Sequence, residues 1–396
     1  MKKTLIAAAA AALAMAGAAN ADGHEVKIGV ILGFTGPLES ITPDMGAGAE
    51  LAIKEVSDAG ALLDGKTVTP VRGDSTCIDA AAATAAAERL ITADGVAAIM
   101  GADCSGVTTA ILQNVAMANG IVMISPSATS PALSTIEDNG LFFRTAPSDA
   151  RQGQIVTDIL RGKGVNEIAI SYTNNDYGKG LADSIESNFT GAGGTVTISA
   201  AHEDGKADYS AEVGALASAG GEVLVVAGYL DQGGKGIIQA SIDTGAFETF
   251  YLPDGMIGDA LPAAIGADLN GSYGAVPGTD SEGAAKFAEM AEAAGFAPGP
   301  FSAESYDAAA LLMMAMQAAG STDSAAYKDK IMDLANAPGE QIFPGELAKA
   351  MQLISEGQDI DYVGASAVEL IGAGESAGNY REIKIEAEGI VTVGFR

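Results

Sequence analysis

VAAIMGADCSGVTTAILQNVAMANGIVMISPSATSP, residues 96–131, carries the fold in miniature. An apolar run over 96–101 ends in a glycine and a small polar loop. A segment with helical spacing follows over 107–119, and a second apolar run over 121–125 ends in a loop dense in hydroxyls. Short continuous apolar runs read as strands buried on both faces, and a helix between two of them is the crossover of a parallel pair. Working outward toward the N-terminus, residues 26–34 and 67–74 read as strands, and 44–59 and 79–93 as helices. The result is a βαβαβα unit, which calls for a parallel sheet with helices on both faces.

The alternation breaks around 142–147 and then resumes with strands over 167–172, 195–200, 223–228 and 250–253, separated by helices. A second doubly wound unit therefore follows the first. After 271–277 come helices over 281–294, 302–318, 325–335 and 346–355, then strands over 365–370 and 382–395. Four late helices with scarcely a strand among them fit a return of the chain to the first unit, with the last strands returning to the second. The expected fold class is α/β, two doubly wound parallel-sheet lobes joined by hinge strands around a cleft. The first lobe takes residues 22–145 and 272–361, the second 146–271 and 362–396.

Residues 1–21 read as a cleaved signal peptide: Lys2 and Lys3, an apolar run from Leu5 to Ala16, and the processing site Ala19-Asn20-Ala21. Export to the periplasm follows, as a soluble protein, since no later apolar stretch is long enough to span a bilayer. Without those residues the chain has 19 basic and 51 acidic residues, a net of −32 that argues against nucleic acid and anionic membranes as partners. Cys77 and Cys104 are the only cysteines, and an isolated pair in an exported protein reads as a disulfide. The two histidines, His24 and His202, keep no company with them, so no metal is expected.

In open parallel sheets ligands sit beyond the carboxyl ends of the strands. One such end runs Gly101-Ala102-Asp103-Cys104-Ser105-Gly106 into a helix, where a hydroxyl and free N–H groups suit an anion. The next runs Ser125-Pro126-Ser127-Ala128-Thr129-Ser130-Pro131. Together they suggest a carboxylate pocket. The second lobe offers Asn174-Asn175-Asp176-Tyr177-Gly178, Gly228-Tyr229 and Pro253-Asp254-Gly255, an aromatic wall with one acid. An anion site facing such a wall is what a zwitterion requires. Each of these signals has a plain structural reading too: a capping serine, half-buried tyrosines, an Asp-Gly turn.

At this point the chain resembles the periplasmic leucine/isoleucine/valine-binding proteins of ABC importers, with the type I periplasmic binding fold. The likeness runs over nearly the whole chain beyond the signal peptide. Its anchors are Lys27-Ile28-Gly29-Val30 through Thr35-Gly36-Pro37, Gly101 to Ser105, Ser125 to Pro131, Tyr177-Gly178-Lys179-Gly180 and Ser305-Tyr306-Asp307-Ala308. The resemblance implies that Ser105 and Thr129, with backbone groups at Ser127 and the adjoining Ala128, hold an α-carboxylate and share in holding the ammonium. It implies Asp254 as the acid against the α-ammonium, Tyr177 and Tyr229 as rings that cover the ligand on closure, and a Cys77–Cys104 disulfide. It further implies a monomer that delivers to an inner-membrane permease, with no cofactor.

Several positions depart from that pattern. Asp254 stands where leucine-type binders carry the longer glutamate, Ile41 where they present a tyrosine, and Asp103 where they have an apolar residue, adding a second acid near the mouth. Residues 354–380 form a longer segment than theirs. The alternatives are another small carboxylate or amide as ligand, or a chemosensory role. Catalysis is not expected: the surroundings of Ser105 do not read G-x-S-x-G, His202 is the only base on offer, and Gly233-Gly234-Lys235-Gly236 lacks phosphate-loop spacing.

Overall fold

In a computed structural model, which describes residues 24–396, the apolar runs become two seven-stranded sheets. The expected signal segment lies outside the described residues. The chain builds β1 (Glu25–Leu32), β2 (Thr67–Asp74), β3 (Ala98–Gly101), β4 (Met123–Ser125) and β5 (Phe142–Pro147), then crosses over. It continues with β6 (Glu167–Thr173), β7 (Thr195–His202), β8 (Val223–Ala227), β9 (Phe250–Leu252) and β10 (Tyr273–Pro277). A small pair, β11 (Glu340–Ile342) with β12 (Ile360–Tyr362), precedes β13 (Leu370–Ile371), β14 (Glu375–Ser376), β15 (Tyr380–Glu386) and β16 (Gly389–Phe395).

The first sheet has the order β13-β14-β5-β4-β3-β1-β2 and the second β16-β15-β10-β9-β8-β6-β7. The first five strands of each unit thus repeat one winding, 2-1-3-4-5, with parallel pairing throughout. The central strands are buried on both faces: every residue of β3, β4 and β8 is buried. That explains why they read as unbroken apolar runs rather than as alternating ones.

The late helices pack against elements of the first lobe. The helix Ser302–Ala319 is apolar nearly all round and buries residues 304–316 against β3, β4, β5 and the helix Thr42–Ala59. The two helices approach so closely that a Cβ on Gly48 would sit 2.2 Å from the Ser302 carbonyl oxygen. Glycine is the residue that admits this contact.

The lobe boundaries differ from the sequence expectation at each crossing. Residues 142–147 are the fifth strand of the first sheet rather than a break, and 273–277 belong to the second sheet rather than to the returning segment. Both are short and end in a proline, Pro147 and Pro277, where the chain leaves one lobe for the other; proline removes the N–H that would continue the ladder. Residues 370–376, expected in the second lobe, form a hairpin on the edge of the first sheet, β14 pairing in parallel with β5. The chain rejoins the second sheet only at Tyr380. Most of the segment 365–370 is turn and loop, with strand beginning only at Leu370, and 325–335 is broken into short helical pieces.

Candidate functional site

The carboxyl ends of both sheets face each other, and the loops beyond them meet. The Asp231 N–H donates to the Pro37 carbonyl at 3.1 Å, and the Ser40 N–H donates to Asp231 Oδ2 at 2.9 Å. Across the same junction a Cβ on Gly258 would lie 3.0 Å from Ile41 and 3.1 Å from Leu230. Ile41 therefore makes an apolar contact between the lobes. On the other flank, a Cβ on Gly180 would lie 2.9 Å from Pro131. The lobes are closed on each other.

Between these contacts lie Ser105, Thr129, Tyr177, Tyr229 and Asp254, none more than 4% exposed. Ser105 opens the helix Ser105–Ile111 after β3, and its Oγ accepts the Ser130 N–H at 3.0 Å. Thr129 Oγ1 is buried and has no hydrogen-bond partner among the described residues. The Ser127 and Ala128 N–H groups, expected to face a ligand, turn inward instead and both donate to Ser125 Oγ, at 3.3 and 2.9 Å. The reason is local: a serine two or three residues ahead competes for those donors. Ser127 Oγ in turn donates to the Asp103 carbonyl at 3.0 Å, and the Ala128 carbonyl accepts from Arg144 Nη1 at 2.8 Å.

In the second lobe Asn175 caps the helix Asp176–Gly191, its side chain accepting the Gly178 N–H at 3.0 Å. That cap places Tyr177 in the first turn, facing inward. Tyr177 and Tyr229 stack with ring centroids 5.2 Å apart and planes 17° from parallel. Tyr177 Oη donates to Asp254 Oδ1 at 2.6 Å, and the same oxygen accepts the Gly255 N–H at 2.8 Å. Asp254 Oδ2 is the oxygen those two donors leave free.

A second acid, which sequence reasoning passed over, joins Asp254. Asp149 begins the helix Asp149–Gly162 just after the first crossing and is fully buried. Gln152 bridges the two acids: its Nε2 donates to Asp149 Oδ1 at 3.0 Å, and its Oε1 accepts the Asp254 N–H at 3.2 Å. Asp149 Oδ2 has no partner among the described residues. Burial raises the pKa of both carboxyls, and the charge on Asp254 raises that of Asp149 further. The buried Tyr380 hydroxyl is also unpartnered, and the charges of Asp254 and Asp149 reinforce burial in pushing its phenol well above the ordinary range. Asp149 follows Ser148, which caps the helix, so in the sequence it looks like an ordinary acid in a first helical turn.

Arg144 was also missed. It is fully buried in β5 and donates to the Ala128 and Ser130 carbonyls at 2.8 and 2.9 Å, while its other nitrogen pairs with Glu375. The segment 354–380 thus supplies, through β14, the counter-charge for the arginine that holds the 128–134 loop. Cys77 and Cys104 form the expected disulfide. Asp103, expected near the mouth, is instead buried inside the first lobe. His202 lies at the end of β7 with Nδ1 2.8 Å from Ser171 Oγ, and burial lowers its pKa to about 4. It is engaged with Ser171 in the second lobe, whereas Ser105 is engaged with Ser130 in the first.

The chain matches the family described as Periplasmic binding protein over residues 25–346. Leu/Ile/Val-binding protein homolog 1 of Brucella suis biovar 1 (strain 1330) is 33% identical over 334 residues, covering 82% of this chain and 86% of that one. Among solved structures, the branched-chain amino acid transporter substrate-binding protein LivJ from Streptococcus pneumoniae, in complex with isoleucine, superposes with a TM-score of 0.77 at 21% identity, covering 94% of this chain and 99% of that one. A solute-binding protein from R. palustris in complex with benzoate has a TM-score of 0.73 at 20% identity, covering 94% and 96%. The two structural likenesses, at such identities, speak for the fold.

Proposed function

The chain belongs to the periplasmic binding protein family, and from that premise we propose that it captures an aliphatic amino acid of the branched-chain type between its lobes for an ABC importer. The observation that carries this reading is the arrangement of buried groups. Ser105, at a helix start, and Thr129, in the loop after β4, lie in the first lobe opposite Asp254, Tyr177 and Asp149 at the second lobe and hinge. Among the described residues, Thr129 Oγ1 and Asp149 Oδ2 are both buried without a hydrogen bond of good geometry, although the Thr129 side chain lies against the Asp149 carboxyl; a polar group left so costs about 1–3 kcal/mol unless a ligand meets it.

A zwitterion meets them. Its carboxylate is received by the hydroxyls of the first lobe and its ammonium by the free oxygens of Asp254 and Asp149. Burial of either charge alone is unfavourable, so a neutral pair with opposed partners is the form the cleft accepts. Two buried acids also disfavour a ligand carrying a second carboxylate. The stacked rings of Tyr177 and Tyr229 wall the cleft, and an aliphatic side chain gains by the apolar area they cover.

Binding works by closure. The open form exposes the first-lobe hydroxyls, the ligand docks there, and rotation about the three crossings brings Tyr177, Tyr229 and Asp254 over it. The closed form is favoured only by its greater affinity for ligand. The closed lobes then present one surface to a membrane permease. Residues 1–21 direct export, the periplasm sustains the disulfide, and the protein acts as a monomer free to open and close.

Calorimetric titration of the ligand-stripped protein with the common amino acids tests this. One-to-one binding of leucine, isoleucine or valine, tighter than of acidic or basic amino acids, is the expected result. Binding of a dicarboxylate or a simple aromatic acid, with no amino acid bound, would overturn it.

A further inference from the structure

Asp103 has no part in the pocket just described, yet it is one of the few acids sealed inside the first lobe, 1% exposed. Its Oδ2 accepts the Gly33 N–H at 3.0 Å, in the loop after β1. Its Oδ1 accepts from Ser75 Oγ at 3.0 Å, in the loop after β2. It stands itself in the loop after β3, and its carbonyl accepts from Ser127 Oγ at 3.0 Å, in the loop after β4. One residue therefore ties together the four loops that follow β1, β2, β3 and β4 at the ligand-facing edge. Its neighbour Cys104 adds a covalent tie to Cys77 in the second of those loops, and the next residue is Ser105.

The surroundings are shaped for it. A Cβ on Gly33 would come 3.0 Å from Asp103 Oδ2 and 3.0 Å from Cys77 Cβ, so a side chain there would displace the carboxylate. Ser75 is fully buried and also accepts the Cys77 N–H at 3.4 Å, which joins the disulfide to the same cluster. A buried carboxylate costs free energy unless its oxygens are matched by donors. Here they are matched by groups whose relative placement sets where Ser105 and the 125–131 loop lie.

We propose that Asp103 is a positioning residue: it locks the four strand-end loops of the first lobe into one rigid cradle and so presents Ser105 and Thr129 to the carboxylate end of the ligand. It acts through those hydroxyls and does not touch the ligand. The proposal rests on the reading of the cleft as an amino-acid site. Because the cradle serves one end of the ligand, loss of Asp103 weakens that end selectively. A general loosening of the fold would weaken both ends alike.

The experiment compares whichever of leucine, isoleucine and valine the unaltered protein binds most tightly with the carboxamide of the same amino acid. Both are titrated calorimetrically into Asp103→Ala, Ser75→Ala and Asp103→Asn. Asp103→Ala should lose about tenfold in affinity for the amino acid, equivalent to about 1.4 kcal/mol, and within about twofold for the carboxamide. Ser75→Ala, a milder cut of the same network, should lose about threefold in the same sense and carries the test should Asp103→Ala fail to fold. Asp103→Asn can accept the Gly33 N–H and donate to Ser75 Oγ, and should restore the discrimination. Equal losses for both ligands in the alanine variants, or no loss in either, overturns the proposal. Failure of the unaltered protein to bind any of the three amino acids instead overturns the amino-acid reading, and the assignment with it.

Discussion

Replacing Asp254 by asparagine separates the charge of the acid from its shape. Asp254 Oδ1 accepts from Tyr177 Oη at 2.6 Å and from the Gly255 N–H at 2.8 Å, and an asparagine oxygen can accept both. The loop should therefore keep its form. What changes is the other oxygen, which becomes an NH2 group facing the ligand ammonium. A hydrogen bond to a charged group contributes about 1.5–3 kcal/mol, so affinity for the amino acid should fall roughly 10- to 150-fold. Stability of the ligand-free protein should move the other way. Burial raises the Asp254 carboxyl, and its charge raises Asp149. A carboxyl whose folded pKa exceeds its unfolded value contributes stability at low pH that is lost as pH rises through the folded value. At neutral pH the charged pair is thus unfavourable in the empty protein, and neutralising one member should raise the Tm. Calorimetric titration and a thermal scan of the stripped protein read both effects. Affinity within about threefold of the unaltered protein, which is far below the worth of a charged hydrogen bond, or a lowered Tm would refute the reasoning.

Ligand affinity should fall on acidification, beginning above the ordinary carboxylate range near pH 4, because the ammonium favours ionised Asp149 and Asp254 while burial favours their protonated forms. Titration in buffers of different ionisation enthalpy should show proton release on binding in that range; proton uptake would contradict it. Glu304, 3% exposed at the start of its helix, is pushed by burial from 4.5 to about 8. Its stabilising contribution is full below 4.5 and lost as pH rises through 8, so the Tm should fall across that window and Glu304→Gln should flatten the fall. Asp231→Ala removes the bond from the Ser40 N–H at the mouth, and stopped-flow kinetics should show ligand leaving a few-fold faster with association little changed.

Where the sequence was easy to read, burial on both faces was the cause. Residues 96–101 and 223–227 are unbroken apolar runs because they lie at the centres of sheets, and they located both lobes. The hinge strand at 142–147 was misread as a break and that at 273–277 as part of the returning segment, because each is brief and closes on a proline. The hairpin at 370–376 has two-residue strands held by β5, a partner more than two hundred positions earlier, and nothing local announces it. Ser105, Thr129, Tyr177, Tyr229 and Asp254, chosen from their places after strands, are all buried in the structure where the two lobes meet. Ser127 and Ala128 were expected to turn backbone groups toward a ligand, but Ser125 takes both N–H groups. Asp103 failed for the same reason in reverse: the residue after a strand can turn to the cleft or to the interior, and only the donors at Gly33 and Ser75 decide. Asp149 was hidden because a helix's first turn welcomes an acid on its own account.

The central claim is that the cleft accepts a zwitterion because it meets both charges. The most direct measurement is calorimetric titration of the stripped protein with one branched-chain amino acid, the amine that lacks its carboxylate, and the acid that lacks its ammonium. Tight binding of the amino acid, with both halves weaker by at least about a hundredfold, is the expected result, since the acid leaves the buried Asp149 and Asp254 without a counter-charge and the amine leaves the buried Ser105 and Thr129 hydroxyls without the carboxylate they receive. Comparable binding of the acid that lacks the ammonium would contradict the account, because Asp149 and Asp254 would then face a ligand with nothing to offer them.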